Sequence, residues 1–322
     1  MNEKIEKAST RDAYGRTLVE LGKVNKNIVV LDADLSGSTR TKWFAKEFPD
    51  RFFNCGIAEE NLITIGAGLA TCGKIPFVST FAVFATERAY NQIRQSIAYP
   101  KLNVKIVCTH SGITVGADGT SHQTILDIAI MRVLPNMTVL VPADAPETAI
   151  ALKTIVEYNG PIYMRLGRTP VRTFYEKEYA YKGKKLKFEI GKSIELKPGK
   201  DVTIICNGIM VAEAVDAAEK LSLEGIESRV INMHTVKPID EEAIVKASKE
   251  TGAIVTAEEH SIIGGLGGAV AEILVRTNPV PLEMVGVKDV FTESGTDVEL
   301  QKIFGLTSNE IISAAKKVVK RR

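Results

Sequence analysis

Phe53-Asn54-Cys55-Gly56-Ile57-Ala58-Glu59-Glu60-Asn61 carries an apolar strand into two adjacent carboxylates and then into a run rich in small residues. A carboxylate at a strand end is held partly out of water. Desolvation there disfavours its ionised form, so it can share a proton with a basic ring nitrogen of a ligand near neutral pH. The same two acids also suit the positive end of the dipole of a helix expected over 59–72, which is all that most helix-start acids do. Both readings stand on this stretch alone. It decides the fold because it joins a strand, Arg51 to Cys55, to a helix, and that unit recurs along the chain.

Upstream, Leu18, Val19 and Leu21 mark a helix from Arg11 to Lys23. The strand Ile28-Val29-Val30-Leu31 follows and ends in Asp32-Ala33-Asp34-Leu35-Ser36-Gly37-Ser38. Downstream come a strand Ile75 to Ser79, a helix 84–97, a strand Val104 to Thr109, a helix 123–132, a strand 138–141, a helix 145–158 and a strand Ile162 to Arg165. Continuous apolar runs that end in polar, glycine-bearing loops read as buried parallel strands. Their alternation with helices predicts a doubly wound α/β domain over 1–170, with ligands gathered at the carboxyl ends of the strands. A lysine-rich, irregular stretch then interrupts the pattern and is expected, over 171–190, to be a linker passing over the surface. From 191 to 322 the alternation resumes as a second, smaller α/β domain: Val202 to Cys206, helix 210–224, Ser228 to Ile231, helix 240–249, Ala253 to Val255, helix 266–276, Leu282 to Val287 and helix 307–320.

Two domains are what 322 residues predict, since a domain usually takes ~100–200. With 41 basic against 39 acidic residues the net charge is only +2, which argues against a nucleic-acid partner. Met1 to Lys7 is charged and lacks the apolar centre of a signal peptide, and no window approaches the ~20 apolar residues of a membrane span, so a cytoplasmic protein is expected. Cys55, Cys72, Cys108 and Cys206 are widely spaced in apolar settings and are expected to be buried thiols. Gly264-Gly265-Leu266-Gly267-Gly268 fits neither a dinucleotide fingerprint nor a P-loop, and reads as a glycine-opened helix packed tightly on its sheet.

Several strand ends carry groups with chemical potential. Thr109-His110-Ser111 is followed by Val115-Gly116-Ala117-Asp118-Gly119-Thr120-Ser121-His122-Gln123, so two of the four histidines fall in one glycine-rich loop with Asp118 between them. Histidine is the side chain best suited to move protons near neutral pH, and glycine lets a backbone approach a ligand. A flexible loop with solvated histidines is the plainer alternative. A zinc site is disfavoured, because no third ligand stands at a suitable spacing. Ser79-Thr80-Phe81-Ala82-Val83-Phe84 sets two rings three residues apart, either for core packing or for stacking on a flat heteroaromatic ligand. Arg11, Ser38 and Arg168 stand at or near strand ends or in loops; singly they read as surface groups, together they can hold an anionic tail such as a phosphate.

Thr10-Arg11-Asp12-Ala13-Tyr14-Gly15-Arg16, Asp32-Ala33-Asp34-Leu35, Gly56-Ile57-Ala58-Glu59, Ser79-Thr80-Phe81, the loop Gly116 to Gln123 and Pro142-Ala143-Asp144 resemble transketolase in order and spacing. The resemblance covers essentially the whole chain but only the C-terminal half of that enzyme, its pyrimidine-binding and C-terminal domains. It implies a transfer of a two-carbon ketol unit from a ketose phosphate to an aldose phosphate, dependent on thiamine diphosphate. It further implies that Glu59 hydrogen-bonds the N1′ of the coenzyme's aminopyrimidine, that Phe81, Phe84 and Ile57 line that ring, and that Asp34 is an acid near the coenzyme at a subunit interface. His110, Asp118 and His122 match residues that orient sugar hydroxyls and assist proton transfer. Arg11, Ser38, His110 and Arg168 match those that grip the sugar phosphate.

One departure matters. The family's G-D-G motif, which holds a divalent metal (Mg²⁺ or Ca²⁺) on the diphosphate, is missing, so a separate N-terminal-half subunit is expected to supply it in a heterotetramer. The competing expectations are a 1-deoxyxylulose-5-phosphate synthase, a 2-oxo acid decarboxylase beta-type subunit, and a non-catalytic subunit that keeps the fold for assembly. The preferred sugars, and whether the pathway is pentose phosphate interconversion, stay open. The second domain is expected to lie away from the chemistry, and His234 and His260 are given no role.

Overall fold

The computed structural model describes residues 6–176 and 178–322; the expectation for Met1 to Lys7 therefore falls mostly outside the described residues. In chain order the strands are β1 (Lys7–Ala8), β2 (Ile28–Asp32), β3 (Phe52–Asn54), β4 (Ile75–Ser79), β5 (Lys105–Cys108), β6 (Thr138–Leu140), β7 (Ile162–Arg165) and β8 (Val171–Arg172). They continue with β9 (Ala180–Tyr181), β10 (Lys184–Lys185), β11 (Ile194–Lys197), β12 (Val202–Cys206), β13 (Ser228–Asn232), β14 (Thr235–Lys237), β15 (Ile254–Ser261) and β16 (Leu282–Val287). Seven form one sheet in the order β14-β6-β7-β5-β4-β2-β3, parallel except for β14. Five form the other in the order β11-β13-β12-β15-β16, parallel except for β11. The fold is mixed α/β of the expected class.

The apolar runs explain why helices cover both faces. Along β2 the side chains alternate: Ile28 and Val30 pack with Tyr14 and Leu18 of the helix Thr10–Val24, while Val29 and Leu31 pack with Leu62 and Ile63 of the helix Glu59–Thr71. A strand buried on both sides has no polar face to alternate with, hence its continuous hydrophobicity. The chain runs from β2 outward to β3, then returns past β2 to β4, so the strand order reverses between β2 and β4. Crevices at such a reversal are where open α/β sheets take their ligands. No helix of the described residues is long and apolar enough to cross a membrane.

Several expectations need correction. The helix over 84–97 is wound mainly as π-turns, Phe84–Arg88 and Ile93–Ala98, on either side of Tyr90–Gln92. The helix over 123–132 begins only at Asp127, because Thr124 is held in an extended bridge to Gly112. The stretch 171–190 does not simply pass over the surface: it adds β8 to β1, pairs β9 with β10, and buries Tyr175, Tyr179 and Phe188 in the core. Its lysines mask these aromatics in composition. Cys72 is exposed and Cys55 half-buried, since both sit at element ends; only Cys108 and Cys206 are buried. β14 was not foreseen, because it is three residues long and runs into Pro238, yet it closes the edge of the first sheet from the second half of the chain. The glycine-opened helix is as expected: the Glu258 carboxylate accepts from the backbone N–H groups of Leu266 (2.7 Å) and Gly267 (2.8 Å), which leaves no anion site there.

Asp144 joins the 171–190 stretch to the sheet. It caps the helix Ala145–Glu157 by accepting from Glu147 N (2.9 Å), and its other oxygen accepts from Phe174 N (2.6 Å) and Tyr175 N (2.7 Å), the first and last of these buried and the Phe174 bond half-buried. Asp144→Ala removes a cap and strands two buried donors, which should cost about 2–4 kcal/mol and lower the urea midpoint; an unchanged midpoint would contradict this account of the segment.

Candidate active site

Beyond their regular pairing, β4 and β5 stay together for one more step. Ala82 N donates to Thr109 O (2.8 Å), Thr109 N donates to Thr80 O (3.2 Å), and Phe81 bridges Thr109. This puts Phe81 and His110 side by side at the carboxyl edge, with ring centroids 3.7 Å apart and planes 17° from parallel. The His110 backbone lies in the left-handed region at φ 59°, and its Nδ1 shares a hydrogen bond with Thr109 Oγ1 (2.8 Å). Such a conformation costs of order 1–3 kcal/mol and persists where the surroundings hold it, most often at functional sites. Phe84 stacks on Phe81 at 5.6 Å, and His122 meets both rings edge-on, at 5.5 Å from Phe84 and 6.3 Å from Phe81.

Glu59 opens its helix with only 2 % of its surface exposed, whereas Glu60 faces solvent. The plain helix-start reading suits Glu60; Glu59 is buried beyond what dipole compensation requires. Its Oε2 accepts from Arg88 Nη1 at 2.7 Å, and the same guanidinium lies over the Phe84 ring, 4.8 Å from its centroid. The place next to Glu59 and Phe84 thus accommodates a flat, nitrogen-bearing donor.

A cationic end lies on the other side of the stack. Arg11 Nη1 donates to Ser38 O (2.9 Å), and Arg40 Nη1 donates to the preceding carbonyl of Gly37 (2.6 Å) while its Nε pairs with Asp12 (2.5 Å). Arg168 Nη1 donates to Val115 O. Burial, reinforced by Arg11, Arg168, Arg40 and His122, pushes the His110 imidazole down to about 3. His110 is therefore neutral near pH 7, one ring nitrogen a donor and the other an acceptor.

The loop between the histidines is built against the second half of the chain. Gly116 and Gly119 take positive φ, and Asp118 stands exposed on the turn Gly116–Asp118, with no hydrogen bond or ion pair among the described residues. Gly112 can only be glycine: an added Cβ would fall 2.1 Å from the Glu259 carboxyl carbon, at φ 73°. Glu259 in turn accepts from Thr114 N (2.8 Å), and Gln123 reaches Glu293 O (3.1 Å) and the Thr292 hydroxyl. The second half therefore shapes the loop, contrary to the expectation that it lies apart. His234 and His260 are buried; His234 Nδ1 bonds Thr235 Oγ1 (3.0 Å), while His260 bonds Ser261 O through Nδ1 (2.7 Å) and accepts from Ala129 N at Nε2 (3.3 Å).

Glu59, Phe81, Phe84, His110 and His122 are thus assembled, as are Arg11, Ser38 and Arg168. Asp34 is exposed at the end of β2 and bonded to Asn54 (2.9 Å), and Ile57 is 79 % exposed. Sequence reasoning missed Arg88, Arg40 and Glu259. Arg88 had one local signal, its place four residues after Phe84, while nothing local links Glu259 to a loop more than a hundred residues away. Among the described residues no three His, Cys, Asp or Glu side chains converge as a metal site.

Comparison with known proteins gives a consistent assignment. Residues 6–173 match the family model for the transketolase pyrimidine-binding domain, and 191–311 that for the transketolase C-terminal domain. A putative transketolase C-terminal section from Methanocaldococcus jannaschii is 54% identical over 94% of this chain and 93% of its own length. A 6-deoxy-6-sulfo-D-fructose transketolase subunit from Clostridium sp. strain MSTE9 is 45% identical over 99% of this chain and 97% of its own. A solved structure described as a split gene transketolase, inactive beta4 tetramer, superposes with a TM-score of 0.90 at 54% identity, covering 98% of this chain and 99% of that one.

The neutral His110 has a consequence for stability. An ordinary imidazole in the unfolded chain takes up its proton below about 6.5, whereas the folded one waits until about 3, so folding becomes less favourable as pH falls through that window. His110→Asn, which tolerates the left-handed backbone, should flatten this acid limb when urea midpoints are compared at pH 7 and pH 4.5; parallel profiles for the two proteins would refute the burial effect.

Proposed function

The chain belongs to the transketolase family as its C-terminal half, and from that premise we propose that it is the Glu59-bearing subunit of a split transketolase, passing a two-carbon ketol unit between sugar phosphates. Thiamine diphosphate, when bound, supplies the electron sink that accepts and releases the two-carbon unit. The observation that carries the reading is the buried Glu59 carboxylate beside Phe84, already engaged by a flat nitrogen donor.

Each residue then has a role that its surroundings support. Glu59 holds the aminopyrimidine N1′ by a hydrogen bond out of water and is the partner for the proton at that atom. Phe84 packs on that ring, and Phe81, stacked behind Phe84, supports it and helps exclude water. Neutral His110 and half-exposed His122 hold or move protons at the substrate's oxygens, and Asp118 accepts from a sugar hydroxyl when the loop engages it. Arg11, Ser38 and Arg168 grip the substrate's charged tail. Asp34 and Ile57, both exposed near strand ends, fit a place at the edge of the coenzyme where a second subunit completes the pocket.

We assign the diphosphate and its Mg²⁺ or Ca²⁺ to a separate N-terminal-half subunit, with self-association of this chain in a heterotetramer. Relatives that the present chain spans almost end to end are described as a C-terminal section and as a subunit, which supports the division. We likewise place the pyrimidine-binding unit over 1–170 and the C-terminal unit over 191–322. The tail recognised need not be a phosphate. One relative carries 6-deoxy-6-sulfo-D-fructose in its name, and clustered guanidiniums bind a sulfonate by the same forks.

Two experiments test the proposal. Purified chain, thiamine diphosphate and Mg²⁺ should show ketol transfer only after the N-terminal-half subunit is added, and robust transfer by the chain alone would defeat the split. Within the reconstituted pair, Glu59→Gln should cut turnover by at least ~10²-fold with folding and assembly intact, while Arg168→Ala should raise KM for an anionic acceptor about tenfold and change a neutral one little. Unchanged turnover in Glu59→Gln would return the chain to an assembly role.

A further inference from the structure

His110, Phe81, Phe84 and Arg88 form a stack of four flat groups: 3.7 Å between His110 and Phe81, 5.6 Å between Phe81 and Phe84, and 4.8 Å from the Arg88 guanidinium carbon to the Phe84 centroid. A flat ring inserted between Phe81 and Phe84 would need about 7 Å, twice the ~3.5 Å of a carbon contact. Their 5.6 Å separation admits none. A ring that pairs with Glu59 must therefore stack where the Arg88 guanidinium now lies.

We propose that Arg88 is a built-in occupant of the coenzyme-ring place, a plug whose guanidinium must leave Glu59 and the Phe84 face before an aminopyrimidine can enter. The proposal rests on the role given to Glu59 above and adds a residue to which that role assigns nothing. A guanidinium resembles the incoming ring in the respects that matter: it is planar and delocalised, it stacks on aromatic faces, and it presents N–H donors along its edge. Its bond to Glu59 is charge-assisted, so it holds an otherwise buried carboxylate in place. The plug is also built to leave. The Arg88 side chain is 50% exposed against 2% for Glu59, so it can swing its charge into water while the acid stays. It is carried on the π-wound turn Phe84–Arg88, a form that recurs at functional sites and brings the guanidinium back over the ring that opens the same turn.

Removing the plug raises the fraction of chain competent to bind, and the apparent dissociation constant falls in proportion. In the reconstituted two-subunit protein, Arg88→Ala should speed thiamine diphosphate association at least fivefold by stopped-flow fluorescence and tighten binding to the same degree by calorimetry, with release unchanged. Arg88→Lys keeps a charge for Glu59 but loses the flat face, and should fall between the two. If the wild-type protein binds thiamine diphosphate and Arg88→Ala binds it no faster, or more weakly, the plug is wrong while the assigned coenzyme stands. If neither protein binds it, the coenzyme assignment falls, and the plug with it.

Discussion

The arrangement at the carboxyl edge of the first sheet depends on one buried charge cluster. Arg165, at the end of β7, donates to Asp127 (2.8 Å) and to the backbone oxygen of Glu259 (2.7 Å), and stands 3.5 Å from the Glu259 carboxylate. Asp127 also accepts from Tyr163 (2.7 Å), and Glu259 accepts from Thr114 N in the loop between the histidines. Burial works against the Arg165 charge, but the two carboxylates outweigh it and raise its affinity for the proton. Three charges out of water are tolerated only while each is paired, and losing one partner typically costs 3–5 kcal/mol. The cluster is therefore an all-or-none register. It fixes the end of β7, the start of the helix at Asp127, β15 of the second sheet and the loop that carries both histidines.

That register explains a division of labour between the two sheets. The first supplies the strand ends on which Phe81 and His110 sit. The second supplies the wall against which Gly112 is pressed, and the loop that follows it supplies the Glu293 carbonyl that accepts from Gln123 and the Thr292 hydroxyl that donates to it. A loop with glycines at 112, 116 and 119 would be mobile if left to itself, since each glycine adds backbone freedom. Here the freedom is used to follow a closely approaching neighbour, and the neighbour removes it.

How much of this was legible follows from the range of the forces involved. The buried strands of both sheets could be read because burial on two faces writes an apolar run into consecutive residues, as in Ile28 to Leu31. β14 could not, since a three-residue edge strand is defined by its partner Thr138–Leu140 and not by its own composition. The π-turns at 84–98 follow helical spacing closely enough to pass for an α-helix, and the aromatics of 171–190 were outvoted by their lysines. In the site, Glu59, His110 and His122 stood out because acid, histidine and glycine at strand ends are chemically loud. Arg88 carried no signal beyond its spacing from Phe84, because its partner lies 29 residues away and an arginine in a helical stretch carries no mark of the carboxylate it will meet.

The site is electrically polarised in a way that the residue types alone do not reveal. One end is a single buried carboxylate, Glu59. The other gathers Arg11, Arg40 and Arg168 near His110, with Asp12 offsetting only one of them. Between them stand apolar rings, which keep the effective dielectric low and let each end act on what lies next to it. A ligand that spans the stack must then bring nitrogen donors to one side and anionic oxygens to the other. The two ends do not neutralise each other directly, because the aromatic layer separates them and Arg88 already satisfies Glu59. The cationic end stays under-compensated in this chain, and its charge adds to burial, the larger cause, in holding the His110 imidazole down. An anion placed among the guanidiniums would offset the charge part of that restraint and leave the part due to burial, so the charged end and the imidazole are coupled without being one switch.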